Sequence, residues 1–239
     1  MQEVKQVLST TILSRQLIDK AAIHSIVIEE ISFIETKKIE NEKVKDKIEN
    51  YLLQKITAVL TSVNAVNAVV KHLKQKPDWL IYCLGNTTKK LVESNFTENL
   101  IAGTADNAEQ LTEIIIQDKI ERVVFFCGDK RRDELPAKLK EHEIFVEEIV
   151  VYTTRETPVL LEKKYEGILF FSPSAVHSFF LINKVDHATQ LFAIGTTTAK
   201  AILQYNKNNL IISHSPAKEN LVRQMIAHFN TSKKDQTVL

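Results

Sequence analysis

The chain has 239 residues, of which 44% are hydrophobic and 26% charged, and 31 Lys and Arg against 30 Asp and Glu leave a net charge of +1. Its length corresponds to one large domain or two small ones, and its apolar content excludes wholesale disorder. The balanced charge argues against a nucleic-acid-binding protein, and no apolar run approaches the roughly 18 residues of a membrane span, so we expect a cytoplasmic protein without nucleic-acid or membrane partners.

Short β-branched segments alternate along the chain with segments of helical periodicity, such as the apolar positions Leu221, Met225 and Phe229. In chain order, the predicted strands are Val4–Ser9, Ile26–Ile34, Ile56–Leu60, Trp79–Leu84, Leu100–Ala102, Arg122–Cys127, Ile144–Tyr152, Gly167–Phe171, Leu191–Ile194 and Leu210–Ser213. This alternation predicts an α/β protein whose parallel sheets are covered by helices.

The two cysteines, Cys83 and Cys127, lie far apart and form no CxxC or Cys/His cluster, and the seven histidines show no metal-binding spacing. This pattern predicts two reduced, buried thiols and no metal site.

Glycine is scarce: the chain has only five, about 2% against the usual ~7%. Gly85, Gly103, Gly128 and Gly195 each stand immediately after a predicted strand. In open α/β sheets this carboxyl edge binds ligands, but strand-to-helix turns need glycine as well. The sequence leaves both interpretations open.

An internal repeat links the two halves of the chain. LTSVNAVNAVV (60–70) aligns with FFSPSAVHSFF (170–180) at an offset of 110, and YCLGNTTKKLV (82–92) aligns with FAIGTTTAKAI (192–202) in the same register. HEIFVEEIVVYTT (142–154) instead matches HSIVIEEISFIET (24–36), at an offset of 118.

The order of these matches predicts two similar three-layer α/β lobes with parallel sheets. One lobe is continuous, 37–153, and the other is discontinuous, 1–36 plus 154–239. Two crossing strands join them, and we expect a ligand cleft between the lobes.

Hydroxyl-bearing residues follow most of the predicted strands. They are Ser9-Thr10-Thr11, Thr61-Ser62, Asn86-Thr87-Thr88, Ser172-Pro173-Ser174, Thr196-Thr197-Thr198 and Ser213-His214-Ser215. At helix N-termini, hydroxyls and free N–H groups suit a ligand with several anionic groups, and Lys130, Arg131 and Arg132 add positive charge to one lobe. Each Ser or Thr is equally suited to capping a helix and nothing more.

Several common catalytic motifs are absent: the sequence has no GxxxxGK[ST] loop, no GxGxxG, no GxSxG and no carboxylate pair at the strand ends. An enzyme built this way would act mainly by holding its substrate in a reactive shape.

Eight segments in order resemble the motifs of the uroporphyrinogen-III synthase family, over about Ile56–Ile226. They are VLTSVNAV, YCLGNTT, AGTADNAEQL, FFCGDKRRDELPAKL, VVYTT, FFSPSAV, AIGTTTAKAI and SPAKENLV. The resemblance implies a lyase of haem biosynthesis that closes the linear tetrapyrrole hydroxymethylbilane, a molecule with eight carboxylates, into uroporphyrinogen III. Ring D is inverted and water is lost, and the family uses no cofactor or metal.

The resemblance also implies site residues. Tyr152 would assist loss of the hydroxyl, although a tyrosine that only packs its ring would look the same. Substrate binding falls on Thr61, Ser62, Thr88, Arg132, Ser172, Ser174, Thr197 and Thr198, and the strand-end argument adds Gly85 and Gly195. The family's Thr-Arg after the first strand is Ser9-Thr10-Thr11 here, and the proline of its IGPTT motif is Thr196.

We therefore expect a monomeric enzyme acting on a small-molecule tetrapyrrole. The alternative from another class is a non-catalytic two-lobed protein that binds a small polyanionic ligand.

Overall fold

The computed structural model of the protein describes residues 4–85, 87–97, 100–207 and 209–234. The chain divides into two compact units. The continuous unit is Thr36–Thr154, and the discontinuous unit combines the described chain up to Glu35 with that from Arg155 onward. The boundaries between the units lie between residues 35 and 36 and between residues 154 and 155. The sequence predicted them between 36 and 37 and between 153 and 154, so each differs by one residue.

Strands and helices alternate over most of the described chain. The strands are β1 (Lys5–Ser9), β2 (Ile26–Glu30), β3 (Ile34–Lys38), β4 (Ile56–Leu60), β5 (Trp79–Leu84), β6 (Ile101–Ala105), β7 (Arg122–Gly128), β8 (Phe145–Glu156), β9 (Gly167–Phe170), β10 (Gln190–Ala193) and β11 (Leu210–Ile212). The helices are α1 (Arg15–Ala22), α2 (Glu42–Leu52), α3 (Val63–Val70), α4 (Thr87–Asn95), α5 (Ala108–Gln117), α6 (Glu134–Glu141), α7 (Pro173–Phe180), α8 (Thr196–Leu203) and α9 (Lys218–Lys234).

These strands form two sheets with the same internal order. One sheet runs β11-β10-β9-β1-β2, and the other runs β6-β5-β4-β7-β8 with β3 added beside β8. Each pairing within the two matching five-strand runs is parallel. The N-terminal strand therefore shares a sheet with β10, which confirms the prediction from the 118-residue offset.

Each sheet has helices on both faces, because successive strand residues point to opposite sides. In β4, Ala58 and Leu60 pack with α2, α3 and α4, whereas Val59 packs with α5 and α6. In β1, Val7 packs with α1 and α9, whereas Leu8 packs with α7 and α8. Both units are thus three-layer α/β structures, as predicted.

The predicted single strand Ile26–Ile34 is wrong, because the structure divides it into β2 and β3. The side chain of Phe33 is fully buried against Phe179, with ring centroids 5.2 Å apart. The Ser32 hydroxyl donates a hydrogen bond to the Ile34 carbonyl at 2.7 Å, which closes a local turn. Burying one aromatic ring therefore interrupts an otherwise β-forming segment.

The prediction that Gly103 follows a strand is wrong, because this glycine lies inside β6. A Cβ there would lie 2.7 Å from Cδ1 of Tyr82 and 2.9 Å from Cγ2 of Ile114. Gly103 is therefore required by the packing of a ring against the sheet and not by a ligand-binding edge.

Both cysteines are buried and free, as predicted, and burial raises the pKa of each thiol to about 11. No described helix is both long and apolar enough to cross a bilayer.

Candidate active site

Tyr152 lies near the carboxyl end of β8, with its side chain half-buried in the continuous unit. Its hydroxyl accepts a hydrogen bond from the Ser62 Oγ at 3.2 Å. With Ser62 as the donor, the phenol proton has no acceptor among the described residues. Burial raises the pKa of the Tyr152 phenol, and the hydrogen bond from Ser62 offsets only part of that rise. The phenol therefore holds its proton at neutral pH and is free to donate it.

Ser62 connects this phenol to the first turn of α3. It is the N-cap residue of the helix, and its Oγ accepts a hydrogen bond from the Ala65 N–H at 3.1 Å. Thr61, the residue before it, is half-buried at the end of β4. The Tyr152 hydroxyl is thus held at a helix N-terminus, where the helix dipole favours negative charge.

The other predicted residues of the continuous unit lie at the ends of β5 and β7. The Gly85 N–H donates a hydrogen bond to the Ala105 carbonyl at 2.8 Å. Thr88 is buried in the first turn of α4. Gly85 borders an open, polar pocket of about 390 Å³, lined also by Asp106 and Glu113. Asn86 lies outside the described residues.

The basic run after β7 is only partly available for ligand binding. Arg131 is paired with Glu148 and Asp133, so its charge is already neutralised. Arg132 is exposed and makes no hydrogen bond or ion pair within the described ranges.

In the discontinuous unit, Ser172 and Ser174 follow β9. Ser172 caps α7 by accepting a hydrogen bond from the Ala175 N–H at 3.1 Å, with Pro173 at the first helical position. Ser174 is half-buried in the first turn of the same helix. Ser62 and Ser172 are therefore the same cap in the two copies of the repeat.

Gly195 precedes α8 as its N-cap, and it has no side chain to accept a hydrogen bond from the first turn. A Cβ added there would meet nothing within 4 Å. Thr197 is half-buried, whereas Thr198 is 3% exposed, so Thr197 offers a ligand the more accessible hydroxyl. The N-terminus of α8 is thus open to an anionic group.

This chain is similar to a family of known sequence and to solved structures. The family model HEM4, described as uroporphyrinogen-III synthase HemD, matches residues 16–223, which is most of the chain. The chain belongs to the uroporphyrinogen-III synthase family. Membership confirms the predicted enzyme class and reaction and gives no support to a non-catalytic binding protein.

Solved structures with low sequence identity share the fold. Uroporphyrinogen-III synthetase from Helicobacter pylori is 16% identical with a TM-score of 0.63, over 94% of this chain and 100% of that one. A mutant uroporphyrinogen III synthase from the extremely thermophilic bacterium Thermus thermophilus is 14% identical with a TM-score of 0.66, over 97% of this chain and 100% of that one.

Some of the predicted hydroxyls have only structural contacts in this family member. Ser9 Oγ donates to the Thr11 carbonyl at 2.6 Å, and Thr10 Oγ1 donates to the Leu169 carbonyl at 2.9 Å. Ser213 Oγ donates to the Ser215 carbonyl at 2.6 Å in the same manner as Ser9. These side chains hold the turns after β1 and β11.

The sequence did not single out Lys218, at the start of α9, whose side chain contacts two loops of the discontinuous unit. Its Nζ donates to the Ile12 carbonyl at 2.7 Å and lies 5.8 Å from the Phe171 ring centroid. Burial lowers the pKa of this ammonium group. Nothing in the sequence distinguishes this lysine from others on helix surfaces, because its contacts come from two distant loops.

Proposed function

We propose that this family member converts hydroxymethylbilane into uroporphyrinogen III with Tyr152 as the proton donor to the departing hydroxyl. The observation that carries this assignment is the protonated, half-buried phenol with a hydrogen bond from Ser62 at 3.2 Å. In this step the substrate C–O bond breaks, both bonding electrons stay on oxygen, and the phenol proton completes a water molecule.

Loss of the proton leaves a phenolate that must be stabilised away from bulk water. Ser62 already donates a hydrogen bond to that oxygen, and the N-terminus of α3 adds a favourable dipole. Both interactions strengthen as negative charge develops, so they favour the transition state over the bound substrate.

Substrate carboxylates need binding groups at the strand ends of each unit. We assign this role to Thr61 and Arg132 in the continuous unit, with Thr88 behind them at the start of α4. Gly85 stays a prediction of the sequence, and its engaged N–H and the carboxylates Asp106 and Glu113 beside it argue against direct contact with a substrate carboxylate. In the discontinuous unit we assign carboxylate binding to Ser172, Ser174, Gly195, Thr197 and Thr198. Support is strongest for Gly195 and Arg132, because the first precedes a helix without a side-chain cap and the second has an exposed charge with no ion pair in the described part of the chain. Thr88 and Thr198 are buried, so we expect them to act by shaping the helix starts.

The test is an isomer assay with purified protein and enzymatically generated hydroxymethylbilane. Wild type should form the III isomer, whereas Tyr152→Phe should form it about 10²–10⁴-fold more slowly, because packing is kept and only the donor is lost. Tyr82→Phe is the matched control, since among the residues that the structure describes the Tyr82 hydroxyl bonds only to Asp118, at 2.6 Å. We expect it to lower the melting temperature and leave the rate unchanged.

A Tyr152→Phe rate within threefold of wild type would remove the catalytic role and leave positioning alone as the mechanism. A wild-type protein that binds hydroxymethylbilane without forming the III isomer would favour the binding-protein alternative. The sequence also predicts a cytoplasmic monomer. This stays a prediction for light scattering and cell fractionation to test.

A further inference from the structure

The turn after β7 contacts the Tyr152 ring at its catalytic end. Gly128, the last residue of β7, pairs with Tyr152 across a register shift between Cys127 and Gly128. A Cβ on Gly128 would lie 2.5 Å from Cζ and 2.8 Å from the hydroxyl oxygen of Tyr152. Since real Cβ atoms do not approach other atoms so closely, only glycine leaves room for the phenol in its present place.

The next residue, Asp129, ties the Tyr152 carbonyl and the backbone two residues later to the same turn. Its N–H donates to the Tyr152 carbonyl at 3.1 Å. Its Oδ1 accepts hydrogen bonds from the Thr154 N–H at 2.8 Å and from the Lys130 N–H at 2.9 Å. The bonds to Tyr152 and Thr154 hold residues 152–154 of β8 against the end of β7, and the bond from Lys130 closes the turn itself.

We propose that Gly128 and Asp129, the tyrosine seat, position the Tyr152 hydroxyl against Ser62 for proton donation. The inference deepens the proposed function and rests on it. Gly128 sets the place of the ring by leaving space for it, and Asp129 sets the place of the backbone that carries the ring. Neither residue needs to touch substrate, so both are positioning residues.

The geometry predicts which part moves when the seat is altered. The methyl of Gly128→Ala would meet the far end of a side chain and not backbone, so the ring shifts while the fold stays. A displacement of about 1 Å breaks the bond to Ser62, and misplacement on this scale costs about 10²-fold in rate. We expect Gly128→Ala to lower kcat by about 10²-fold and to change KM less than threefold.

Gly103→Ala is the matched control, because its methyl would meet the ring of Tyr82 at 2.7 Å in the same unit. We expect this variant to lower the melting temperature and to keep the wild-type kcat. In a Tyr152→Phe background, Gly128→Ala should add no further loss of kcat, since the hydroxyl that it misplaces is already gone. A kcat for Gly128→Ala within threefold of wild type, or no greater loss than in Gly103→Ala, overturns the role of Gly128.

A spectroscopic readout separates this inference from the proposed function. With ¹³Cζ-labelled tyrosine, the chain gives five resonances, and Tyr152→Phe identifies the one from Tyr152. Gly128→Ala should shift that resonance and its titration, whereas Gly103→Ala should shift the one from Tyr82. An unmoved Tyr152 resonance in Gly128→Ala overturns the seat, whatever the rates. A wild-type rate in Tyr152→Phe overturns the proposed function, and a moved resonance then still shows that the seat places the ring.

Asp129 is tested by substitutions that separate its hydrogen bonds from its charge. Asp129→Asn keeps the Oδ1 acceptor for Thr154 and Lys130, so kcat should stay within threefold of wild type. Asp129→Ala removes the acceptor, and kcat should fall about tenfold with a shifted Tyr152 resonance. Equal losses in the two variants would mean that the charge acts directly, which overturns the positioning role of Asp129.

Discussion

The two units are copies of one scaffold, and their strand-end edges differ in a few residues. Residue by residue, 61–70 and 171–180 are buried to the same degree, and the cap serines Ser62 and Ser172 each accept an N–H at 3.1 Å. In the continuous unit the cap serine also donates to the Tyr152 phenol. The residue at the matching position of the repeat is Ile34, which packs against an apolar cluster of the discontinuous unit.

A second difference concerns the paired glycines Gly85 and Gly195. The Gly85 N–H is engaged by the Ala105 carbonyl, whereas the Gly195 N–H donates to no residue that the structure describes. One copy therefore carries a half-buried phenol bonded to its cap serine, and the other carries a helix N-terminus without a side-chain cap. Both copies keep a serine cap on the first helix after the matched strand, Ser62 and Ser172. On the proposed function, proton donation belongs to the continuous unit alone, whereas both units bind substrate carboxylates.

The two units should differ most in how kcat responds when their cap serines, Ser62 and Ser172, are replaced. Ser62→Ala and Ser172→Ala each remove an N-cap, at about 1 kcal/mol of stability. Only Ser62→Ala also removes the donor to Tyr152, so it alone should lower kcat, by about tenfold. Melting curves and isomer-III rates on both variants test this. Equal effects on kcat would show that the Ser62–Tyr152 bond has no catalytic consequence.

The second prediction concerns the open start of α8. Gly195→Asp should cap the helix and place a negative charge where a carboxylate would bind. We expect KM to rise about tenfold while the melting temperature holds or rises, and the neutral Gly195→Asn should raise KM less. Steady-state kinetics at low salt give the comparison. A KM within twofold of wild type in Gly195→Asp would remove this helix from the substrate site.

A smaller effect is expected at Arg132, because it is exposed and screened by solvent. Arg132→Ala should raise KM by at most about fivefold and weaken the salt dependence of KM. Arg223→Ala, at an exposed arginine of α9, is the control for loss of a surface charge. Abolished activity in a folded Arg132→Ala protein would mean that the side-chain charge outweighs the oriented backbone.

The smallest effect on rate is expected at a hydrogen-bonded carboxylate that both units have at equivalent positions. Glu147 accepts hydrogen bonds from Tyr51 at 2.5 Å and from Arg122 at 2.9 Å. Glu29, its counterpart at the 118 offset, is bonded to Lys163 and Tyr165. The hydrogen bond from Tyr51, then that from Arg122, lowers the pKa of Glu147, and the bonds from Lys163 and Tyr165 lower that of Glu29.

A carboxyl whose pKa is lowered on folding stabilises the protein above its unfolded pKa of about 4.5. That stability is lost as the pH falls through the lower, folded pKa. Glu147→Gln should therefore cost about 1 kcal/mol of stability at pH 7, with a gap to wild type that narrows below pH 4.5 and no change in kcat. Thermal melts across pH 3–7 measure this, and a gap that widens in acid would contradict it.

The elements with strong local signals are those that the sequence predicted best. Strands Ile56–Leu60 and Trp79–Leu84 match β4 and β5 at both ends, because continuous apolar runs bounded by turns identify buried parallel strands. Strand β8 continues to Glu156, past the predicted end at Tyr152. The polar side chains after Tyr152 suggest the end of a strand, but backbone pairing with β3 extends it. Contacts between distant segments carry no local signal, so the break at Phe33 and the place of Gly103 were not predicted.

By itself, the sequence determined the class of fold, the duplication and the identity of the residues at the strand ends, since periodicity and repeats are properties of the chain order. Only the tertiary structure decided which of these residues act together. It brought Gly128, which lies 24 residues before Tyr152, against the phenol ring. The hydroxyls of Ser9, Thr10 and Ser213 donate hydrogen bonds to backbone carbonyls. Hydrogen bonding and close packing depend on distances of a few ångströms between segments that are remote in sequence, and no local pattern encodes those distances.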